Sequence, residues 1–208
     1  IGVLGGGQLG RMLIQAANSL DIQLHMLDPD PHAPCAQIAY SFQVGSLTDF
    51  ETVMAFGQNK DLLTVEIENV NTAALRELEQ RGVKVFPQPH ILELIRDKGT
   101  QKQFYLDNGI PTAPFVFCGA ALPSENPFGF PVVHKLRTGG YDGKGVNIIQ
   151  EESKLSSSFT EPSIFEKCIP FTKELSVIVA RNEAGQTKCF PLVECEFNPE
   201  ANLVEFLF

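Results

Sequence analysis

The first ninety residues alternate between short apolar runs and longer amphipathic stretches. Such alternation is typical of a parallel sheet covered by helices. The pattern predicts strand, helix, strand, helix, strand, helix and strand, in the segments IGVL, QLGRMLIQAANSL, IQLHML, LTDFETVMAFG, LLTV, NTAALRELEQRG and VKVF. We therefore predict an α/β fold that begins with a Rossmann-like, doubly wound parallel-sheet domain over residues 1–95.

The composition changes after a stretch that predicts one helix on each side of Asp97. From Thr112 onward, β-branched and aromatic runs separated by turn residues predict mostly antiparallel strands in APFVF, FPVVHK, VNII, SIFEKCI, ELSVIVA, CFPLVECEF and NLVEFLF. RNEAGQ predicts a hairpin turn, and EESKLSSSFTEPS predicts at most a short mobile loop. Residues 96–208 are thus predicted as an α+β domain, and the apolar end at Phe208 predicts that the protein continues further.

Charge and cysteine content restrict the class of protein. Sixteen basic and 25 acidic residues give a net charge of −9, which argues against a nucleic-acid surface as the main site. The five cysteines show neither CxxC pairs nor metal-ligand spacing, so they predict reduced thiols in a cytoplasmic protein. No signal-peptide pattern and no apolar run of about 18 residues occurs, so no membrane span is predicted.

GGGQLG lies between a predicted strand and helix, and Gly5, Gly7 and Gly10 match GxGxxG. Asp28 ends the next strand, where a dinucleotide-binding fold places its ribose-binding acid. Three interpretations stay open: a nicotinamide cofactor, another phosphorylated ligand, and a structural tight turn. Glu66 and Glu68 follow a later strand, and we expect them at the ligand edge of the sheet, with a solvated strand end as the alternative.

RTGGYDGKG places four glycines, two cationic side chains, a tyrosine and an aspartate within nine positions. A plain turn needs fewer glycines and no particular charge, so the stretch predicts a ligand-binding loop. Lys144 and the nearby Lys135 can stabilise negative charge on a ligand, while the glycines allow the loop to open and close. The chain shows no Ser-His-Asp or Cys-His arrangement that would indicate a protein nucleophile.

Five segments occur in order: GGGQLGRML, TVEIENV, TQKQFYLDNGIPTAPF, VVHKLRTGGYDGKGV and IFEKCIPFTKELSVIVAR. With them the whole chain resembles the ATP-grasp family of 5-(carboxyamino)imidazole ribonucleotide synthases. The resemblance implies an ATP-dependent carbon–nitrogen ligase of de novo purine biosynthesis, which carboxylates 5-aminoimidazole ribonucleotide with bicarbonate through carboxyphosphate. It also implies a homodimer, an ATP-grasp lid, and only the start of the C-terminal ATP-grasp subdomain. The magnesium ligands of the family are expected beyond Phe208.

The resemblance also implies the contacts of each ligand. ATP contacts are expected from Lys98, Lys135, Gly140, Tyr141, Asp142, Gly143, Lys144, Gly145, Val146, Glu166, Lys167, Cys168, Ile169 and Glu174. Among these, the two lysines before the loop should reach the phosphates, the segment from Glu166 should line adenine through a strand edge, and Glu174 should hold the ribose. Contacts to the ribonucleotide are expected from Gln8, Leu9, Glu66 and Tyr141.

Asp142 and Lys144 are the catalytic residues that the resemblance implies. Two roles stay open for Asp142: orienting or deprotonating the substrate amine, or forming a structural ion pair. Cys195 and Phe197 stand where many relatives have asparagine and histidine, so no ATP contact is assigned there. The competing functions are another ATP-grasp ligase acting on a ribonucleotide, a nicotinamide-dependent oxidoreductase, and a non-catalytic nucleotide-binding module.

Overall fold

The structure is a computed structural model that describes residues 1–119, 126–140, 145–157, 159–198 and 203–208. The chain separates into two compact units, residues 1–101 (unit 1) and residues 102–208 (unit 2). None of the described helices is long and apolar enough to cross a membrane.

Unit 1 is built on a five-stranded sheet in which every neighbouring pair of strands is parallel. Its strands are β1 (Gly2–Leu4), β2 (His25–Asp28), β3 (Ser41–Val44), β4 (Leu62–Val65) and β5 (Lys84–Val85). Its helices are α1 (Gln8–Asn18), α2 (Phe50–Gly57), α3 (Thr72–Gln80), α4 (Pro89–Arg96) and the start of α5 (Lys98–Asp107). The strand order β3-β2-β1-β4-β5 confirms the predicted doubly wound sheet.

Both faces of this sheet are buried, which explains why its strands appear as continuous apolar runs. Val3 and Leu4 are adjacent in β1 and fully buried, but they belong to two different hydrophobic clusters. Successive side chains of a strand point to opposite faces, so each face of the sheet carries its own core.

Strand β3 was not predicted from the sequence. It pairs in parallel with β2 at the edge of the sheet, and most of its side chains are exposed, including Val44. An edge strand that buries little apolar surface lacks the run that marks the inner strands.

The described residues of unit 2 form three antiparallel sheets, which agrees with the mostly antiparallel strands predicted for the second half of the chain. The first, in the order β6-β9-β7-β8, consists of β6 (Phe115–Cys118), β7 (Val132–Leu136), β8 (Val146–Ile149) and β9 (Ser163–Lys167). The others consist of β10 (Glu174–Ser176), β13 (Val193–Asn198) and β14 (Leu203–Leu207), and of β11 (Val179–Arg181) with β12 (Thr187–Cys189). The predicted hairpin turn is confirmed, since β11 and β12 pair across it with Gly185 at a φ of 79°.

Three local predictions were wrong. ELSVIVA and CFPLVECEF were each predicted as one strand, but each divides between two sheets. In the second segment Pro191 separates β12 from β13, because proline cannot donate to a sheet ladder. The predicted mobile loop contains a 3₁₀ helix at Glu152–Ser157, whose Leu155 packs against a core of Cys118, Val132, Ile149 and Phe165.

Candidate functional site

The glycine loop GGGQLG and Glu66 lie together at the carboxyl ends of β1 and β4. Strand order reverses between these two strands, and ligands of open parallel sheets bind at such a switch point. A Cβ placed on Gly5 would lie 2.8 Å from Oε2 of Glu66, and one placed on Gly7 would lie 2.6 Å from Oε1. The glycines therefore leave room for a carboxylate beside the loop.

Asp28 is bound to the same loop. Its Oδ2 accepts a 2.7 Å hydrogen bond from the Gly6 N–H, and its Oδ1 accepts one of 2.8 Å from the Asp30 N–H. The sequence suggested a ribose-binding acid at this position, but the carboxylate organises two backbone turns instead. This arrangement favours the structural interpretation of GxGxxG over a dinucleotide site.

The surroundings of the loop are negative. Cys35 is fully buried, and its thiol lies 3.5 Å from the carbonyl oxygen of Gly7. Burial raises the pKa of the Cys35 thiol, and the nearby carboxylates of Glu66 and Asp28 raise it further. Two carboxylates beside the loop disfavour a phosphate group there, so the geometry favours the structural turn among the three interpretations.

Glu66 is half-buried and, among the residues that the structure describes, no hydrogen bond or ion pair reaches its carboxylate. Gln8 and Leu9 begin α1 beside it and are exposed, Leu9 to 65%. Glu68 is exposed as well, which fits the alternative prediction of a solvated strand end. A half-buried carboxylate with open acceptor sites suits a ligand that donates hydrogen bonds.

Lys98 is the first residue of α5, and the residues before it fix the start of the helix. Oδ1 of Asp97 accepts hydrogen bonds of 2.8 Å from the Gly99 N–H and 3.1 Å from the Thr100 N–H, as a helix cap does. Arg96 donates to the carbonyl oxygen of Val70 at 3.0 Å, in the segment that follows Glu66 and Glu68. The predicted phosphate lysine is thus presented by a defined helix start in unit 1.

In unit 2, Lys135 and Glu166 form an ion pair of 2.8 Å between β7 and β9. Glu166 lies opposite Val133, two residues before Lys135, so both side chains project from one face of the sheet. The Glu166 side chain is only 6% exposed, whereas that of Lys135 is 28% exposed. A buried carboxylate thus holds the ammonium of a partly accessible lysine.

Lys102 is a member of this site that the sequence prediction missed. Its ammonium lies 3.2 Å from Oε1 of Glu166, while Lys135 takes Oε2. It also donates to Oγ1 of Thr112 at 2.9 Å and to the carbonyl oxygen of Ala113 at 3.1 Å. Nothing in TQKQFYLD marks this lysine, because its importance arises from a contact with a distant strand.

The stretch RTGGYDGKG connects β7 to β8, and both ends of the connection are defined. Gly139 and Gly145 have φ angles of 77° and 75°, which favour glycine, and the Leu136 N–H donates to the Gly145 carbonyl oxygen at 2.9 Å. A Cβ on Gly145 would lie 3.0 Å from the Cα of Gly140. The predicted contacts of Tyr141, Asp142, Gly143 and Lys144 lie outside the described residues.

Adenine was expected to meet an exposed strand edge at Glu166, but Glu166 does not lie on an edge strand. Strand β9 is an inner strand, and Glu166 pairs with Phe115 on one side and with Val133 on the other. The ladder ends at Lys167, whose N–H donates to the Pro114 carbonyl oxygen. Backbone groups that could meet a purine therefore begin at the half-buried Cys168 and the exposed Ile169.

Glu174 of unit 2 was predicted to contact the ribose of ATP. It is half-buried in β10, and its direct partner across the antiparallel pair with β13 is Cys195. The position where this chain departs from the family pattern is thus next to the predicted ribose contact. Val146, the last residue of the predicted lid, lies opposite Lys135 in the pair of β7 with β8.

Two further observations concern a possible metal site and a cleft in unit 1. Within the described ranges, no group of three or more histidine, cysteine, aspartate or glutamate residues is arranged to hold a metal ion. A cleft of about 410 Å³ in unit 1 lies at the opposite, amino-terminal end of the sheet, between α1 and residues such as Asp21 and Tyr40.

Comparison with known proteins gives relatives along almost the whole chain. The N5-carboxyaminoimidazole ribonucleotide synthase of Synechococcus elongatus is 37% identical over 201 residues, which are 93% of this chain and 51% of the relative. A structure of carboxyaminoimidazole ribonucleotide synthase from Aspergillus clavatus complexed with ATP is 32% identical, with a TM-score of 0.87, and the match covers 99% of this chain and 56% of that chain. A structure of N5-carboxyaminoimidazole synthase from the same organism, in complex with ADP and 5-aminoimidazole ribonucleotide, is 31% identical with a TM-score of 0.81 and covers 95% and 54%.

Family models divide the chain in two. Residues 1–96 match the ribonucleotide synthetase preATP-grasp domain, and residues 103–200 match the ATP-grasp domain. The fold and these matches define an ATP-grasp protein. Similarity to N5-carboxyaminoimidazole ribonucleotide synthases along 93% of the chain confirms the resemblance, and the chain spans about half the length of these relatives.

Proposed function

We propose that the chain is the ribonucleotide-binding and ATP-binding part of an ATP-dependent carbon–nitrogen ligase that carboxylates 5-aminoimidazole ribonucleotide in purine biosynthesis. The observation that carries the proposal is the pair of Lys135 and Glu166. It presents a partly accessible ammonium beside the base of the glycine loop, within the part of the chain that matches the ATP-grasp domain. The relatives from Aspergillus clavatus, solved with ATP and with ADP and 5-aminoimidazole ribonucleotide, supply the ligand classes.

The proposed reaction has two steps. An oxygen of bicarbonate attacks the γ-phosphorus of ATP, the bond from that phosphorus to the β,γ-bridging oxygen breaks, and ADP leaves. The amine nitrogen of the ribonucleotide then attacks the carboxyl carbon of carboxyphosphate, phosphate leaves, and the nitrogen loses a proton. Phosphoryl transfer depends mainly on positioning and on stabilisation of charge, which suits lysines and backbone N–H groups.

In unit 2, Lys135 is the proposed phosphate contact. Its ammonium has three donors, and among the described residues only Glu166 accepts from it. The remaining donors can therefore bind phosphate oxygens. We keep residues 140–146 as the lid over the phosphates, with Asp142 and Lys144 acting on the acyl phosphate and the amine.

Residues 166–169 are the proposed adenine contacts, and Glu174 is the proposed ribose contact. For the backbone part of this contact we favour Cys168 and Ile169, because they lie beyond the ladder that ends at Lys167. Carboxylate oxygens of a half-buried glutamate accept well from the two hydroxyls of a ribose.

In unit 1, Glu66 is the proposed acceptor for the ribonucleotide. Its carboxylate has open acceptor sites at the switch point of the sheet, with Gln8 and Leu9 exposed beside it. We retain residues 1–95 as the ribonucleotide-binding part, and residues 96–208, with Lys98 at their start, as the ATP-binding part. A nicotinamide cofactor is disfavoured because Asp28 and Glu66 both lie against the glycine loop.

Magnesium, bicarbonate, a homodimer and a cytoplasmic location complete the proposal, and each rests on the family resemblance. When bound, magnesium would neutralise the β- and γ-phosphates. The described residues contain no cluster of carboxylates fit to hold it, so no step is assigned to the metal here.

The test measures phosphate release and fixation of labelled bicarbonate together, in a protein that contains this chain. Release of phosphate that requires both bicarbonate and 5-aminoimidazole ribonucleotide, with equal label in the carbamate, supports the proposal. Phosphate release that ignores the ribonucleotide, or stimulation only by another ribonucleotide, contradicts it.

A further inference from the structure

The cluster of Lys102, Glu166 and Lys135 contains one more positive charge than negative charge in a largely buried place. One carboxylate oxygen of Glu166 faces each ammonium, at 3.2 Å for Lys102 and 2.8 Å for Lys135. The two lysines share one counter-ion but differ in every other contact. This difference indicates that the two lysines have different roles.

Lys102 is fully engaged by the protein. Three oxygens lie within hydrogen-bond distance of its ammonium, from Glu166, Thr112 and Ala113, and the ammonium also lies 5.5 Å from the centre of the Phe115 ring. Its side chain is only 12% exposed. Two hydrogen bonds and an ion pair hold the ammonium of Lys102, so we expect it to contribute nothing to a phosphate.

Lys135 is engaged only by Glu166 among the described residues, and its side chain is more exposed. A phosphate bound by the remaining donors of Lys135 competes with Glu166 for the same positive charge, so the ion pair weakens. A buried carboxylate that loses its only counter-ion is strongly unfavourable. Glu166 avoids that state because Lys102 remains beside it.

We propose that Lys102 is a positioning residue that keeps Glu166 compensated, so that Lys135 can exchange between Glu166 and the phosphates of the nucleotide. Glu166 then holds Lys135 in place when no nucleotide is bound, and Lys102 allows its release. The proposal rests on the proposed function, since it takes an adenine nucleotide as the ligand of Lys135.

The experiment uses three variants of a protein that contains this chain, Lys102→Met, Glu166→Gln and the double variant, with ADP and magnesium as the titrated ligand. In Lys102→Met the carboxylate depends on Lys135 alone, so we expect ADP affinity to fall by about tenfold or more. In the double variant the amide needs no counter-ion, and we expect the affinity to match that of Glu166→Gln within about threefold. Lys188→Met, which removes an exposed lysine of β12, serves as the matched control and should bind like the wild type.

The comparison of Glu166→Gln with the double variant separates a positioning role from a structural role or from direct contact. A lysine that touched the nucleotide, or that was needed only to hold α5 and the segment before β6, would still lower ADP affinity after Glu166 is neutral. The same comparison decides the question if Lys102→Met alone does not fold.

Wild-type affinity in Lys102→Met overturns the proposal, and so does a double variant that binds ADP clearly more weakly than Glu166→Gln. A wild-type chain that binds no ADP contradicts the proposed function, and this proposal with it. If the wild type binds ADP but the double variant binds it clearly more weakly than Glu166→Gln, only the proposed role of Lys102 is contradicted.

Discussion

A Cβ placed on Gly7 would lie 2.6 Å from Oε1 of Glu66, so the glycine loop and this carboxylate occupy adjoining space. Gly7 has a φ of −75°, which any residue adopts, so its lack of a side chain is not required by the backbone. Proximity to the carboxylate is therefore the reason for glycine here.

Gly7→Ala should weaken ribonucleotide binding with little loss of stability. The three atoms nearest to the new methyl group all belong to the carboxyl group of the flexible Glu66 side chain, which can turn away from the ligand. We expect the Kd for 5-aminoimidazole ribonucleotide to rise about tenfold, or about 1.4 kcal/mol. Isothermal titration and urea unfolding of the same variant measure the two effects.

Gly5→Ala is the comparison variant that adds backbone strain to the contact with Glu66, because Gly5 has a φ of 105° and its added Cβ would lie 2.9 Å from the Cβ of Glu66. That variant should lose about 1 to 3 kcal/mol of unfolding free energy through backbone strain. Unchanged ribonucleotide affinity in Gly7→Ala would mean that the position of Glu66 does not matter for binding.

Lys135→Ala should weaken ADP binding, whereas Glu66→Ala should weaken only ribonucleotide binding. A hydrogen bond between a charged group and a phosphate contributes about 1.5 to 3 kcal/mol, and Glu166 keeps Lys102 as a counter-ion in the first variant. Calorimetric titration of both ligands into both variants checks the division, with Lys188→Ala as the control for loss of an exposed lysine. Equal loss of ADP affinity in the two variants would show that the division is wrong.

Gly145→Ala should impair nucleotide binding more than Gly139→Ala. Both glycines have left-handed backbone, which costs an alanine about 1 to 2 kcal/mol. A Cβ on Gly145 would lie 3.0 Å from the Cα of Gly140 and 3.2 Å from Leu136, whereas no atom of the described residues lies within 4 Å of a Cβ on Gly139. ADP titration of both variants measures the loss of affinity, and thermal unfolding measures the loss of stability. An identical loss of ADP affinity in the two variants would show that the close packing of Gly145 against Gly140 and Leu136 does not matter for nucleotide binding.

His134 should make unit 2 less stable as the pH falls below about 6.5. Its Nδ1 accepts from the Phe159 N–H at 3.4 Å, so its Nε2–H donates to Ser163 at 2.8 Å, and the ring is fully buried. Burial lowers the pKa of His134 from 6.5, so below that pH the unfolded chain binds the proton and folding becomes less favourable.

Replacement of His134 by glutamine tests this dependence. The loss of stability should approach about 1.4 kcal/mol per pH unit below pH 6.5 in the wild type and should be smaller in His134→Gln. Denaturant unfolding of both proteins between pH 5 and 7.5 gives the slopes. His32→Gln, at an exposed histidine, is the control, and a slope in His134→Gln equal to the wild type would rule out this source of pH dependence.

The sequence was informative where burial is complete. Continuous apolar runs predicted β1, β2 and β4 because both faces of the sheet are covered, whereas β3 is an exposed edge strand without such a run. Lys102 was missed for a related reason, since its partner Glu166 lies on β9 and no local pattern shows that contact.

The motif GxGxxG shows why local reading leaves alternatives open. Its spacing fits a phosphate turn and a structural turn equally well, and only the positions of the Asp28 and Glu66 side chains distinguish them. The positions of the charged side chains around the loop, rather than the spacing of its glycines, determine which ligand the loop accepts.

Titration of the chain with ADP and with NAD, each in the presence of magnesium, tests the central claim most directly. We predict saturable binding of ADP that Lys135→Ala weakens, and no binding of NAD, because Lys135 offers its ammonium in unit 2 while two carboxylates adjoin the glycine loop of unit 1. Saturable binding of NAD, with no response to ADP, would contradict the account.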